Sequence, residues 1–91
     1  MGRLYSGNLN EFMDAVARLE EDHDVCALQV ETLRYFDASI RFTVIDHVVE
    51  VRTRSGVTLT SKVFRRKDGD MLYAEMTSWL RKVHSDLRWW N

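Results

Sequence analysis

The spacing of apolar residues changes twice along this chain of 91 residues, and that change limits the folds it can adopt. Apolar residues recur every three or four positions at first, alternate with polar residues from position 25, and return to helical spacing after position 68. A period near 3.6 is typical of a helix with one buried face, and a period of two is typical of a half-buried strand. The sequence therefore predicts a helix, a group of strands and a second helix.

The first helix is predicted to run from about residue 9 to residue 22. Asn8 is its expected cap, and Glu11 follows three residues later, as in a capping box. One face of this helix is apolar: Leu9, Phe12, Met13, Val16 and Leu19. The other face carries a row of carboxylates, which we call the acidic stripe: Glu11, Asp14, Glu21 and Asp22. An acidic surface of this kind suits a partner protein with a cationic groove.

Three segments of alternating residues are predicted to form an antiparallel sheet. Their apolar residues are expected to face the helices: Cys26, Leu28 and Val30 in the first, Ile40, Phe42 and Val44 in the second, Val57, Leu59 and Val63 in the third. Asp37-Ala38-Ser39 and Ser55-Gly56 supply the turns. Residues 40–54 fit either one strand with a bulge or two strands with a tight turn, because the apolar positions there change from even to odd numbers.

The second helix is expected to follow a cap at Asp68 or Asp70 and to run nearly to the C-terminus. Its apolar side is continuous: Leu72, Met76, Trp79, Leu80, Val83, Leu87 and Trp90. The predicted fold is a single α+β domain over residues 1–91, in the order α-β-β-β(-β)-α. Both helices are expected on one face of a three- or four-stranded antiparallel sheet, which makes a two-layer sandwich.

The cysteine content and the lengths of the apolar runs indicate where in the cell the protein is expected. The chain has one cysteine, Cys26, so no internal disulfide forms, and a reducing cytoplasm is the expected location. No apolar run approaches the roughly 20 residues that a membrane helix needs. We therefore predict a cytoplasmic protein without a membrane partner.

Motifs for catalysis and metal binding are absent from the sequence. His23, His47 and His84 do not stand at the four-residue spacing of a helical metal pair. Cys26 alternates with apolar residues and is expected to be a small core residue. The four glycines occur singly, so no glycine-rich loop is available for phosphate. We predict that the protein is not an enzyme and has no cofactor and no metal.

Positive charge is concentrated in the predicted sheet, since residues 25–67 hold eight basic and four acidic side chains. Seven of these basic residues are candidate contacts to RNA or DNA, because Lys and Arg neutralise phosphates: Arg41, Arg52, Arg54, Lys62, Arg65, Arg66 and Lys67. Arg41, Arg52 and Lys62 are expected to point away from the helices. The element order resembles that of the double-stranded-RNA-binding domain, although Asp70-Met71-Leu72 stands where that family has paired lysines.

The C-terminal sequence Arg88-Trp89-Trp90 is a candidate protein interface. Trp90 continues the apolar side of the second helix, whereas Trp89 falls on its polar side, so one small core does not bury both. Tryptophan and arginine are enriched at binding hot spots. The interface partner is either another protein or a second copy of this chain, and a frayed end that folds back over the sheet is the competing interpretation.

These observations favour a non-enzymatic protein-binding module, such as a stoichiometric inhibitor or an accessory subunit. In its small size and its lack of catalytic motifs, the chain resembles small single-domain antagonists from phages or toxin–immunity pairs. The acidic stripe and Arg88-Trp89-Trp90 are the predicted partner-binding residues. The alternative is an RNA- or DNA-binding domain that uses the basic face of the sheet.

Overall fold

A computed structural model describes residues 7–88 of the chain. Its elements are α1 (Leu9–His23), β1 (Val25–Asp37), β2 (Phe42–Thr53), β3 (Thr58–Lys67) and α2 (Tyr73–Leu87). The strands form one antiparallel sheet in the order β1-β2-β3. The predicted α+β class and element order are confirmed, and residues 42–53 form one strand rather than two.

The N-terminus of α1 forms as the sequence predicts. The Glu11 backbone N–H donates to Asn8 Oδ1 at 2.8 Å, which satisfies one of the free N–H groups of the first turn. Gly7, just before the cap, has φ +77 and lies against α2: an added Cβ would be 2.6 Å from the Ala74 nitrogen. This approach of the two chain segments therefore requires glycine.

The core lies where the two helices meet one end of the sheet. Leu19 from α1, Leu80 from α2 and Val51 from β2 are at most 2% exposed. Val25 and Ala27 from β1 join the same cluster, and Ala27 pairs directly with Val51. We call this side of the sheet the core face. None of the described helices is long and apolar enough to span a membrane.

The predicted inward residues of β1 are wrong. Val25 and Ala27 face the core, whereas Leu28 and Val30 are 42% and 41% exposed. A single left-handed residue, Asp24, connects α1 to β1 and sets which side of the strand meets the helix. A register shift between Gln29 and Glu31 then changes the parity again, as a bulge does.

The predicted face of Val63 in β3 is also wrong, since Val63 is 55% exposed and its neighbour Phe64 is 4% exposed. Phe64 pairs with His47 of β2 and contacts the Trp79 ring of α2, with 5.6 Å between ring centroids. The strand register therefore brings the even-numbered residues of this part of β3 to the core face.

The start of α2 differs from the prediction as well. Leu72 occupies the cap position without a side-chain hydrogen bond, so neither Asp68 nor Asp70 caps the helix. Asp68 instead accepts from Arg34 Nη2 at 2.5 Å. Gly69, between β3 and α2, has φ +97, a conformation that glycine adopts readily in turns.

The sheet extends well beyond the helices. A strand of 13 residues such as β1 is about 43 Å long, whereas a helix of 15 residues is about 22 Å long. Lys67 at the end of β3 pairs with Val44, so the last part of the β1–β2 hairpin has no third strand beside it. The described molecule is accordingly elongated, at 45 × 24 × 17 Å.

The end of this hairpin is exposed, and we call residues 36–42 the hairpin tip. Ile40 and Phe42 were predicted to face the helices, but Ile40 lies in the turn and they are 48% and 42% exposed. Phe36 is 64% exposed. In the described part of the chain, large portions of all three side chains therefore remain open to solvent.

Candidate functional site

The acidic stripe lies on the exposed side of α1, but its members differ in their contacts. Asp14 accepts from Arg18 Nε at 2.9 Å, one helical turn later. Asp22 accepts from His84 Nε2 at 2.7 Å, across to α2. Among residues 7–88 no ion pair holds Glu11 or Glu21. These two carboxylates are therefore the members of the stripe that present negative charge to a partner.

Asp22, His23 and His84 join the C-terminal ends of the two helices. His23 Nε2 donates to the His84 carbonyl oxygen at 2.9 Å, and the two imidazole rings meet edge to face, 4.7 Å apart. The hydrogen bond from His84 lowers the pKa of Asp22 below its ordinary value. This cluster clamps α1 to α2 and explains why an acidic residue is accommodated at the C-terminal end of a helix.

Arg88 is exposed, and its backbone N–H donates to carbonyl oxygens of the last turn of α2. Its side chain lines a cleft of about 520 Å³ between the helices, together with Asp14, Asp22 and His84. The fold thus brings three of the predicted partner-binding residues to one surface. Trp89 and Trp90, which were also predicted to bind a partner, lie outside the described residues.

The basic run Arg65-Arg66-Lys67 does not present one cationic surface. Arg65 forms a two-point ion pair with Asp46, with Nε–Oδ1 and Nη2–Oδ2 distances of 2.8 and 3.2 Å. Arg66, on the core face, donates to His47 Nε2 and to the Asp70 carbonyl oxygen, both at 3.0 Å. Lys67 lies 5.5 Å from the centre of the Phe42 ring. Successive residues alternate between the two faces of the strand, so the run is divided between them.

The remaining candidate phosphate contacts are also dispersed. Arg41 lies in the hairpin turn with φ +52, and Arg54 pairs with Asp24 at the opposite hairpin. Arg52 pairs with Glu50 at 2.8 Å. Lys62 was expected to point away from the helices, but it shares the face of Phe64 and lies 5.8 Å from its ring centre. A continuous basic face is therefore not formed by the described residues, and nucleic-acid binding stays a prediction.

A polar chain crosses the groove between α2 and the sheet. His47 Nδ1 donates to Gln29 Oε1 at 2.7 Å, since its Nε2 accepts from Arg66. Burial, and then the charge of Arg66, lowers the pKa of His47 below its ordinary value of 6.5. The groove holds about 370 Å³ and is otherwise lined mainly by apolar side chains, among them Phe64, Met76 and Trp79.

The base of the hairpin is braced by a second polar cluster. Asp46 accepts from Arg65 and also from the Tyr35 hydroxyl at 3.2 Å, while the Arg65 guanidinium lies 5.8 Å from the Tyr35 ring centre. The bond from Arg65 lowers the pKa of Asp46. Arg34 and Asp68 add an ion pair between β1 and the segment after β3. These contacts tie the hairpin to the rest of the sheet just below its tip.

Sequence reasoning missed the hairpin tip as a surface. Ile40 and Phe42 were predicted to face the helices, because alternation does not tell which part of a long strand the helices cover. Cys26 was expected in the core, but it is only half-buried and pairs with Arg52. Within residues 7–88 no group of three His, Cys, Asp or Glu side chains is placed to hold a metal ion.

Comparison with known proteins identifies the family. The whole chain, residues 1–91, matches the family described as "Bacteriophage T7-like, gene 1.2". The "Gene 1.2 protein" of Enterobacteria phage T3 is 47% identical over 90 residues, which cover 99% of this chain and 97% of that protein. The "Inhibitor of dGTPase" of Escherichia phage T7 is 32% identical over 90 residues, which cover 99% of each.

The chain therefore belongs to the gene 1.2 family of T7-like bacteriophages. The prediction of a small, non-enzymatic protein inhibitor is confirmed at the level of the family, since the phage T7 relative is named for the inhibition of an enzyme.

Proposed function

We propose that this member of the gene 1.2 family inhibits a dGTPase by binding to it stoichiometrically and obstructing the hydrolysis of dGTP. The observation that carries the proposal is similarity along 99% of both chains to a protein named an inhibitor of dGTPase. Similarity over the full length supports transfer of a function that depends on a whole surface. A chain of 91 residues acts on an enzyme most directly by covering part of it.

The acidic stripe is the proposed steering surface for this association. Glu11 and Glu21 project from α1 without an ion pair among the described residues, so their charge acts on an approaching partner. Asp14 is paired with Arg18, which offsets its charge, and Asp22 accepts a hydrogen bond from His84. Arg88 lies at the edge of the interhelical cleft, and together with Trp89 and Trp90 it stays a proposed partner-binding residue.

Titration of dGTPase activity tests the function. The Escherichia dGTPase is held at a concentration well above the expected Kd, and the purified chain is added in steps. Activity is expected to fall in a straight line and to stop falling at a fixed molar ratio, which is the signature of a tight complex. Full activity at a tenfold excess of the chain, with no co-elution from a sizing column, would contradict the proposal.

Charge neutralisation tests the steering surface separately. The double variant Glu11→Gln/Glu21→Gln is expected to associate several-fold more slowly at low salt and to lose part of the salt dependence, with little change in dissociation. Glu31→Gln is the matched control, since Glu31 is an exposed carboxylate on β1 rather than α1. Equal association rates for the wild type and both variants would show that α1 does not steer the association.

A further inference from the structure

The hairpin tip gathers large apolar side chains on a short exposed segment. Phe36, Ile40 and Phe42 lie within seven residues and are 64%, 48% and 42% exposed. Phe36 pairs with Thr43 and Phe42 pairs with Asp37, so the two rings lie on opposite faces of the hairpin near its end. Single exposed apolar residues are ordinary on protein surfaces, whereas a cluster of them at one place marks a contact site.

The tip also projects from the molecule. Beyond the pair of Val44 and Lys67 no strand of the described chain lies beside the hairpin, and the helix-packed core is at the other end of the sheet. A projecting hairpin reaches into a concavity, which a flat sheet face or a helix side does not. Other exposed apolar residues, such as Leu33 and Val63, lie on the broad surface of the sheet instead.

Hydrogen bonds order the hairpin tip and its base. Asp37 Oδ1 accepts from the Ser39 backbone N–H at 2.9 Å and from the Ser39 hydroxyl at 2.6 Å, and these bonds lower the pKa of Asp37. The Asp68 backbone N–H donates to the Thr43 carbonyl oxygen at 2.9 Å and closes the base of the hairpin. Side chains on a pre-organised loop lose less conformational entropy on binding, which favours tight association.

The charge around the tip indicates the kind of surface that it meets. Arg34 is neutralised by Asp68, whereas Asp37 keeps its negative charge, because the Ser39 groups that donate to it are neutral. Among residues 7–88 no ion pair holds Arg41 or Lys67, and Lys67 lies beside the Phe42 ring. The tip is thus an apolar wedge whose border carries two cations, Arg41 and Lys67, and one carboxylate, Asp37, and this net positive charge fits an apolar cleft bordered mainly by carboxylates.

We propose that the hairpin tip is the anchor of the inhibitory complex: it inserts Phe36, Ile40 and Phe42 into an apolar cleft of the dGTPase whose rim carries acidic side chains facing Arg41 and Lys67. This inference rests on the proposed function and adds the element that makes the contact. The acidic stripe on α1 steers the encounter, and the tip holds the complex together.

Paired substitutions at the two ends of the sheet test the anchor. Phe36→Ser and the double variant Phe36→Ser/Ile40→Ser are compared with Val57→Ser, because Val57 is 58% exposed at the opposite hairpin and serves as a matched control. The inhibition constant for the Escherichia dGTPase is measured for each, and circular dichroism verifies the fold. Phe36→Ser is expected to weaken inhibition at least about thirtyfold, as for a hot-spot residue, and Val57→Ser by less than about twofold.

The outcomes separate the inference from the function beneath it. If the wild type inhibits and both tip variants inhibit as well as Val57→Ser, the tip is not the anchor and the proposed function stands. If the wild type does not inhibit, both fall. If light scattering shows a wild-type dimer that the tip variants convert to a monomer, with inhibition unchanged, the tip joins two copies of this chain and the inference is overturned.

The cationic border has its own test. Lys67→Glu is expected to weaken inhibition several-fold at low salt, whereas Lys62→Glu, which changes the same charge on the core face of β3, is expected to leave it unchanged. Equal effects of the two variants would contradict an acidic rim around the cleft. Loss of binding to short RNA or DNA by Lys67→Glu, without an effect on inhibition, would assign the border to a phosphate backbone instead.

Discussion

The two ends of the sheet are built differently. At the helix end, Leu19, Val51 and Leu80 are at most 2% exposed and both helices pack over the strands. At the hairpin end, Phe36 and Ile40 are about half exposed or more, and polar bonds hold the chain in place. Packing of the helices on the strands stabilises the fold at one end of the sheet, whereas the apolar side chains of the hairpin tip at the other end are left exposed to a partner.

Substitutions at the helix end are expected mainly to lower stability, whereas substitutions at the hairpin tip are expected mainly to weaken inhibition. Leu19→Ala removes a fully buried side chain and should lower the free energy of unfolding by about 3–5 kcal/mol. Phe36→Ala, at the hairpin tip, should lower it by less than about 0.5 kcal/mol. Urea denaturation followed by circular dichroism measures both. Similar losses of unfolding free energy for the two variants would show that Phe36 contributes to the core, and would contradict the difference between the two ends.

The second-largest loss of stability is expected for a substitution at Gly7, where the cap of α1 lies close to α2. Gly7→Ala would adopt an unfavourable φ and press a methyl group against the Ala74 backbone, so it should cost more than about 1 kcal/mol. Gly56→Ala is the matched control, because Gly56 also has a positive φ but has open space around it. The same denaturation experiment should show a larger loss for Gly7→Ala, and equal losses would mean that the contact with Ala74 is not tight.

A smaller effect on stability is expected from protonation of His47, which lies on β2 between the two ends of the sheet and accepts a hydrogen bond from Arg66. The pKa of folded His47 is below its ordinary value of 6.5, so the unfolded chain binds the proton more readily, and stability should fall as the pH drops through 6.5. The pKa values of Asp22, Asp37 and Asp46 lie below their ordinary 3.8, so their contributions persist until the pH falls below about 4.

His47→Gln should therefore remove the loss of stability between pH 7 and pH 5 and leave the loss below about pH 4 in place. Denaturation midpoints at pH 7.5, 6, 5 and 3.5 measure both steps. Should the variant lose stability between pH 7 and pH 5 as the wild type does, protonation of His47 would not be the cause.

Local signals in the sequence predicted the element order, the Asn8 cap and the turn at Gly56. They did not predict the strand faces, because Asp24 in a left-handed conformation and the shift after Gln29 each change which residues meet the helices. These two features depend on how the elements pack, and alternation alone does not contain that information.

The candidate site was predicted only in part, for the same reason. The acidic stripe follows from helical spacing, and Glu11 and Glu21 are exposed as expected. The pairing of Arg65 with Asp46 and of His84 with Asp22 joins residues 19 and 62 positions apart, which depends on register and helix packing. Phe36 and Phe42 are exposed because β1 and β2 extend beyond the helices. The sequence pattern does not show this, so their exposure could not be predicted from it.

The measurement that tests this account most directly is hydrogen–deuterium exchange of the chain, free and bound to the Escherichia dGTPase. The account predicts that backbone amides of residues 36–43 exchange more slowly in the complex, while those of the opposite hairpin, residues 53–57, do not change. Protection of residues 53–57 with an unchanged hairpin tip would contradict it, because the contact would then lie at the end of the molecule that the helices cover.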